Sequence, residues 1–137
     1  MEIRPRFFPN SRELRDWFEA HHASASEIWV GFYKAHPRRT GITYGEAVEE
    51  ALCFGWIDTT VRRIDDDRYA NRFVPRRPGS NWTPGNQALF RELDQVGRIT
   101  PAGRAMFERD LQLARNHGRN RTRDRSRSVS HTSNSKS

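Results

Sequence analysis

The pattern of this chain predicts an α+β domain: a small, mainly antiparallel sheet packed with about four helices, followed by a basic tail with no core of its own. Three observations predict it. Apolar residues recur at helical spacing behind four capping signals, at Asn10, Thr43, Thr83 and Thr100. Three runs are rich in β-branched and aromatic residues, Glu27–Lys34, Trp56–Ile64 and Arg68–Pro75, and the last two are bounded by Gly, Asp or Pro. After Leu113 apolar residues nearly vanish.

The first helix opens at Asn10 with Glu13 at capping-box spacing, carries Leu14, Trp17 and Phe18 on one face, and ends near His21-His22. In Glu27-Ile28-Trp29-Val30-Gly31-Phe32-Tyr33-Lys34 both faces are apolar, which predicts a central strand covered on both sides. His36–Gly41 reads as a loop. Thr43 and Glu46 form a second capping box, with Ile42 as the preceding staple residue. The helix behind it should bury Ala47, Val48, Ala51 and Leu52, and stop at Gly55. Trp56–Ile64 and Arg68–Pro75 then form an antiparallel pair around Asp65-Asp66-Asp67. Alternation puts Tyr69, Asn71 and Phe73 on one face, and Arg68 and Arg72 on the other, with Arg76 following them. Thr83-Pro84 and Thr100-Pro101 are caps followed by proline in the first helical turn. They open a helix with Leu89, Leu93 and Val96 inward, and a last helix with Ala102, Ala105, Met106 and Phe107 able to pack. Trp17, Trp29, Phe32, Phe54 and Phe73 are the expected bulk of the core.

At 137 residues there is room for one domain. The chain is polar, with 34% hydrophobic and 30% charged residues and a mean hydropathy of −0.95. The net charge of +7 is uneven. Arg115 to Ser137 hold seven Lys/Arg against Asp124 alone, leaving 17 bases and 16 acids before them. The expected organisation is therefore a nearly neutral domain over residues 1–113 and a disordered Arg/Ser-rich tail over 114–137. A single cysteine, Cys53, excludes an internal disulfide framework and reads as a core residue. Without a signal peptide or a long apolar run, the expected compartment is the cytoplasm.

Ala51-Leu52-Cys53-Phe54-Gly55-Trp56-Ile57-Asp58 resembles a stretch of the YdeI/OmpD-associated, bacteriocin-protection family of small proteins. So do the Glu27–Lys34 strand, Ile42-Thr43-Tyr44 with Glu46-Ala47-Val48, the Arg68-Tyr69, Arg72-Phe73 and Pro75-Arg76 segment, Ser80-Trp82-Thr83-Asn86, and Gly97–Gly103. The resemblance covers roughly Arg12 to Glu108. Members of that family usually continue into further helices with a Tyr-Arg-Arg and Trp-rich segment. Here the Arg/Ser stretch stands in their place, which points to a truncated, frameshifted or divergent end. The resemblance implies a non-enzymatic role in tolerance to bacteriocins, cationic antimicrobial peptides or similar stress, with an envelope protein as one implied partner. It supplies no catalytic residues.

From the residues themselves, the best candidate site combines Trp56, Asp58, Arg72, Arg76, Ser80, Trp82, Thr83 and Asn86. Guanidinium forks suit carboxylate or phosphate, a helix start offers free N–H groups, and indole rings stack on flat ligands. Together they would hold a small anion or a peptide terminus. The competing reading is structural: Asp58 pairs with Arg72 or Arg76, the tryptophans fill the core, and Ser80 or Thr83 merely caps. Asp58, Asp65, Asp66 and Asp67 lack the glycine and glutamate of a calcium loop, and the histidines lack zinc spacing, so no metal or cofactor is expected. No catalytic motif is present. Two alternatives remain open. One is salt-sensitive nucleic-acid binding through Arg119, Arg121, Arg123, Arg125 and Arg127. The other is a small-molecule enzyme using Asp58 with Arg72.

Overall fold

The computed structural model of the chain describes residues 2–34 and 41–127, the last nine as helix backbone alone. The elements follow in the order α1 (Ser11–His21), β1 (Ile28–Tyr33), α2 (Tyr44–Cys53), β2 (Trp56–Arg63), β3 (Arg68–Pro75), α3 (Pro84–Gln95) and α4 (Pro101–Arg127). Over the described residues the fold is α+β, with four helices and a three-stranded antiparallel sheet. The expected loop over residues 36–40 falls outside the described residues.

The helix starts follow their capping chemistry. Asn10 accepts the Glu13 N–H at 3.0 Å. Thr43 and Glu46 form a complete reciprocal box. Thr83 accepts the Asn86 N–H at 3.1 Å ahead of Pro84. Thr100 does more than cap. Its N–H and its hydroxyl both donate to the Cys53 carbonyl, at 3.0 and 2.6 Å, so the start of α4 is bonded to the end of α2. Gly103 lies so close to the same carbonyl that a Cβ there would overlap it. Gly55 turns the chain out of α2 at φ 80°, with Met106 of α4 against it.

The strand order is β1-β3-β2. The sequence reading put β1 at the centre, but β3 holds that place. The outer edge of β1 is closed by the N-terminal segment, where Arg6 N–H donates to Trp29 and Gly31 N–H donates to Arg6, both at 2.8 Å. The helices cover one face, where Ile28, Val30, Phe32 and Phe73 meet Leu14, Phe18 and Leu52. The other face of β1 carries Trp29 and Tyr33, half-buried rather than sealed. Its apolar character therefore does not signal a second covering layer. The core tryptophan is Trp56, edge-on to Trp17 and Phe18 at 5.9 and 5.3 Å. In α3 the inward residues are Phe90 and Leu93, while Val96, expected inside, is exposed. In α4 Ala105 is exposed, and Gly103 and Asp110 are buried.

Helix α4 runs 27 residues, about 40 Å. The described side chains from Leu111 to His117 are exposed. The expected boundary at Leu113 falls inside this helix. The helical backbone continues to Arg127, and the tail reading for residues 128–137 falls outside the described residues. Among the described residues, no helix is long and apolar enough to cross a membrane.

Candidate functional site

The candidate residues surround the segment from Arg76 to Thr83, which links the sheet to α3. Arg76 leaves the end of β3 and is 3% exposed, with its Cζ 4.0 Å above the Trp82 ring. Its Nη1 donates to the Asn81 carbonyl at 3.5 Å, and its Nε has no partner among the described residues. Burial lowers the pKa of this guanidinium, and the fields of Asp110 and Asp58 partly offset that effect. A buried cation stacked on an indole is positioned by the fold, and here it joins the sheet to the linker.

A void of about 10 Å³, room for about one water, is lined by Trp56, Asp58, Arg76 and Asn86 among others. Half of the expected constellation therefore converges, but around a space too small for a carboxylate or phosphate. Asp58 accepts the Tyr44 hydroxyl at 2.6 Å rather than either arginine. Burial, followed by the hydrogen bond and charge of Asp58, pushes the Tyr44 pKa up to about 12. Arg72 is not part of the site. It pairs with Trp29 across the sheet, while Asp58 pairs with Phe73, so the two side chains leave opposite faces. Arg72 instead donates to Glu27 at 2.5 Å. The Asp58/Arg72 pair of the enzyme alternative is thus not assembled.

On the other side of the linker lies a much larger groove, about 720 Å³, between Pro78–Trp82 and α4. Ser80 and Trp82 line it, together with Phe107, Leu111 and Leu113. Trp82 packs edge-on to Phe90 and Phe107, at 5.9 and 4.9 Å. Ser80 donates to the Arg77 carbonyl at 2.5 Å, and Gln87 donates to the Trp82 carbonyl at 3.0 Å. Thr83 caps α3 and is not a groove residue.

The residue that shapes this groove is Asp110, which the sequence reading missed. Its carboxylate accepts the Gly79 N–H at 3.0 Å, the Trp82 indole N–H at 2.9 Å and the Arg109 Nε–H at 3.0 Å. Arg109 also donates to the Arg76 carbonyl at 3.2 Å. Burial pushes the Asp110 carboxyl up, but the bonds from Arg109, Trp82 and Gly79 outweigh it and hold the group below the usual carboxylate range. One sequence signal pointed there: Gly103, Phe107 and Asp110 follow i, i+4, i+7 spacing, which puts an acid on the inward stripe of a helix.

The expected phosphate-binding arginines at 119, 121, 123, 125 and 127 fall on the last turns of α4, beyond the described side chains. In the acidic turn, Asp65 receives Arg68 through two nitrogens and the Asp67 N–H, and Asp66 receives Arg63.

No curated protein and no solved structure matches the chain. A family model described as a domain of unknown function (DUF8412) matches residues 6–106, from the segment that closes the edge of β1 to the turn of α4 that packs on Gly55. The chain therefore belongs to that family.

Proposed function

We propose that this chain is a non-enzymatic binding domain that holds the apolar face of a short amphipathic peptide in the groove between the 78–82 loop and α4, and that it serves in tolerance to bacteriocins or cationic antimicrobial peptides. One observation carries the binding reading: a groove of about 720 Å³ lined by Trp82, Phe107, Leu111 and Leu113. That volume is typical of sites for small ligands or a few side chains. Its polar groups support recognition of apolar surface, because the Trp82 N–H, the Gln87 amide, the Ser80 hydroxyl and the Asp110 carboxylate are engaged within the domain. The biological role is supported by the resemblance to the YdeI/OmpD-associated family described above.

A titration of the isotope-labelled full chain with a Leu/Lys amphipathic dodecapeptide tests the reading. The Trp82 indole N–H and the Leu111 and Leu113 methyls should shift together. Leu113→Asp, at an exposed position, should abolish the response without loss of helix signal. Shifts confined to other surfaces, or none at millimolar peptide, would remove the groove from consideration.

A second reading is favoured by the continuation of α4. Its helical backbone carries Arg115, Arg119, Arg121, Arg123, Arg125 and Arg127 against Asp124 along one rod. Such a segment would bind nucleic-acid phosphates electrostatically, and a binding constant that falls steeply with salt would be its signature.

A further inference from the structure

The sheet has a face that the helices do not cover, and its composition is unusual. Strand register places Trp29, Gly31 and Tyr33 of β1 on it. Opposite them stand Arg72, Ala70 and Arg68 of β3, and beyond those Thr60 and Arg62 of β2. Phe7 lies on the same face, because a Cβ added to Gly31 would run into its ring. The face therefore carries three aromatic rings and three arginines, interleaved.

They form two clusters. In the first, Arg62 lies 5.6 Å above the Trp29 ring and Arg72 is Trp29's cross-strand partner. In the second, Phe7 and Tyr33 lie 5.1 Å apart and Arg68 stands 5.6 Å above Phe7. Trp29 and Tyr33 are four residues apart on one strand, about 13 Å. Between them Gly31 and Ala70 carry almost no side chain, and the Phe7 ring occupies the space over Gly31, so the two clusters adjoin.

We propose that this face binds single-stranded nucleic acid, with bases stacking on Trp29 and on the Phe7/Tyr33 pair and phosphates taken by Arg62, Arg68 and Arg72. Unpaired bases present π-faces to aromatic platforms, and guanidinium groups serve both as stacking planes and as phosphate partners. Arg72 and Arg68 are held by Glu27 and Asp65 in ion pairs with both partners more than a third exposed. Such pairs contribute little, so a phosphate exchanges for the carboxylate at small cost. Double-stranded nucleic acid keeps its bases stacked and is not a ligand for the rings. This surface shares no residue with the Trp82 groove.

Fluorescence anisotropy of labelled dT12 and rU12 with the full chain, at 50 and 200 mM salt, tests the proposal. Trp29→Ala should weaken binding about tenfold or more, the effect of losing one stacking platform. Trp29→Phe, which keeps a ring, should restore most of it. Arg62→Gln, on the exposed strand β2, should weaken binding and lower the salt slope by about one. If Trp29→Ala does not fold, Trp29→Phe and Arg62→Gln still decide. Three results would overturn the proposal. The first is an unchanged affinity in Arg62→Gln alongside loss of binding when the arginines at 119, 121, 123, 125 and 127 are all glutamine. The second is equal affinity for duplex DNA. The third is no binding of either oligonucleotide at 50 mM salt.

Discussion

Two buried carboxylates hold this domain together in different ways. Glu50 on α2 is bonded to two cations: Arg15 of α1 at 3.2 Å, and Arg98, just before α4, at 2.7 Å. Arg98 also reaches Glu49, and Arg15 also donates to the Arg98 carbonyl. Asp110 on α4 takes only one charged donor, from its own neighbour Arg109, and two neutral ones, the Gly79 amide and the Trp82 indole. Glu50 ties regular elements to one another by charge. Asp110 gives a connecting segment its shape by accepting directional N–H bonds, and that arrangement has a groove beside it. A carboxylate at a helix junction can rigidify it, whereas a carboxylate under a loop can build a binding surface.

The contrast is sharpest under substitution. Glu50→Ala takes the buried partner from two arginines and should destabilise the fold by about 3 kcal/mol, the low end for breaking a buried pair because Arg15 keeps Glu19 and Arg98 keeps Glu49. Chemical denaturation should show that loss as a shift of the whole transition. Asp110→Asn keeps the volume and one acceptor oxygen, so about 1–2 kcal/mol should be lost. That loss should appear first as altered Trp82 fluorescence and faster amide exchange at Gly79. If Glu50→Ala is the milder of the two, the charge hub is not the stronger tie.

Acid tests the Asp110 hub on its own. The folded-state pKa of Asp110 is depressed, so its contribution is complete above the unfolded value of about 3.9 and fades as pH falls through the lower folded value. Between neutrality and pH 5 stability from this group should stay flat. Below about pH 4 it should drop, and Asp110→Asn should remove that part of the drop. A wild-type and Asp110→Asn pair with parallel acid limbs would show that the bonds to Gly79 and Trp82 carry no such linkage.

The smallest of these effects belongs to the cap beside the groove. Thr83→Ala removes the acceptor for the Asn86 N–H and should lower stability by about 1 kcal/mol. Peptide affinity should be nearly unchanged, since Thr83 does not line the groove.

Much of the architecture was legible. The caps at Asn10, Thr43 and Thr83, the Asp65–Asp67 turn and the stop at Gly55 each rest on chemistry within a few residues, and each is found where that chemistry puts it. The strand order was not. Trp29 and Tyr33 made β1 read as central because apolar side chains on both faces look the same whether a layer covers them or a solvent-facing cluster of rings and arginines does. The candidate site was half legible. Trp56, Asp58, Arg76 and Asn86 do meet, and so do Ser80 and Trp82, but on two sides of one linker. Arg72 was misplaced because Asp58 and Arg72 both lie on strands, and which face each takes depends on the pairing and on the bulge at Thr59, between Asp58 and Thr60.

Local chemistry in the chain was enough to settle where helices begin, where strands turn, and that charge concentrates beyond Arg115, because those outcomes depend on neighbours a few residues away. Pairing across long separations decided the rest. Glu50 meets Arg98 and Asp110 meets Gly79 and Trp82 only after α2, α3 and α4 have docked. A buried carboxylate accepts whichever donors the packing delivers, and no spacing in the chain specifies which those will be.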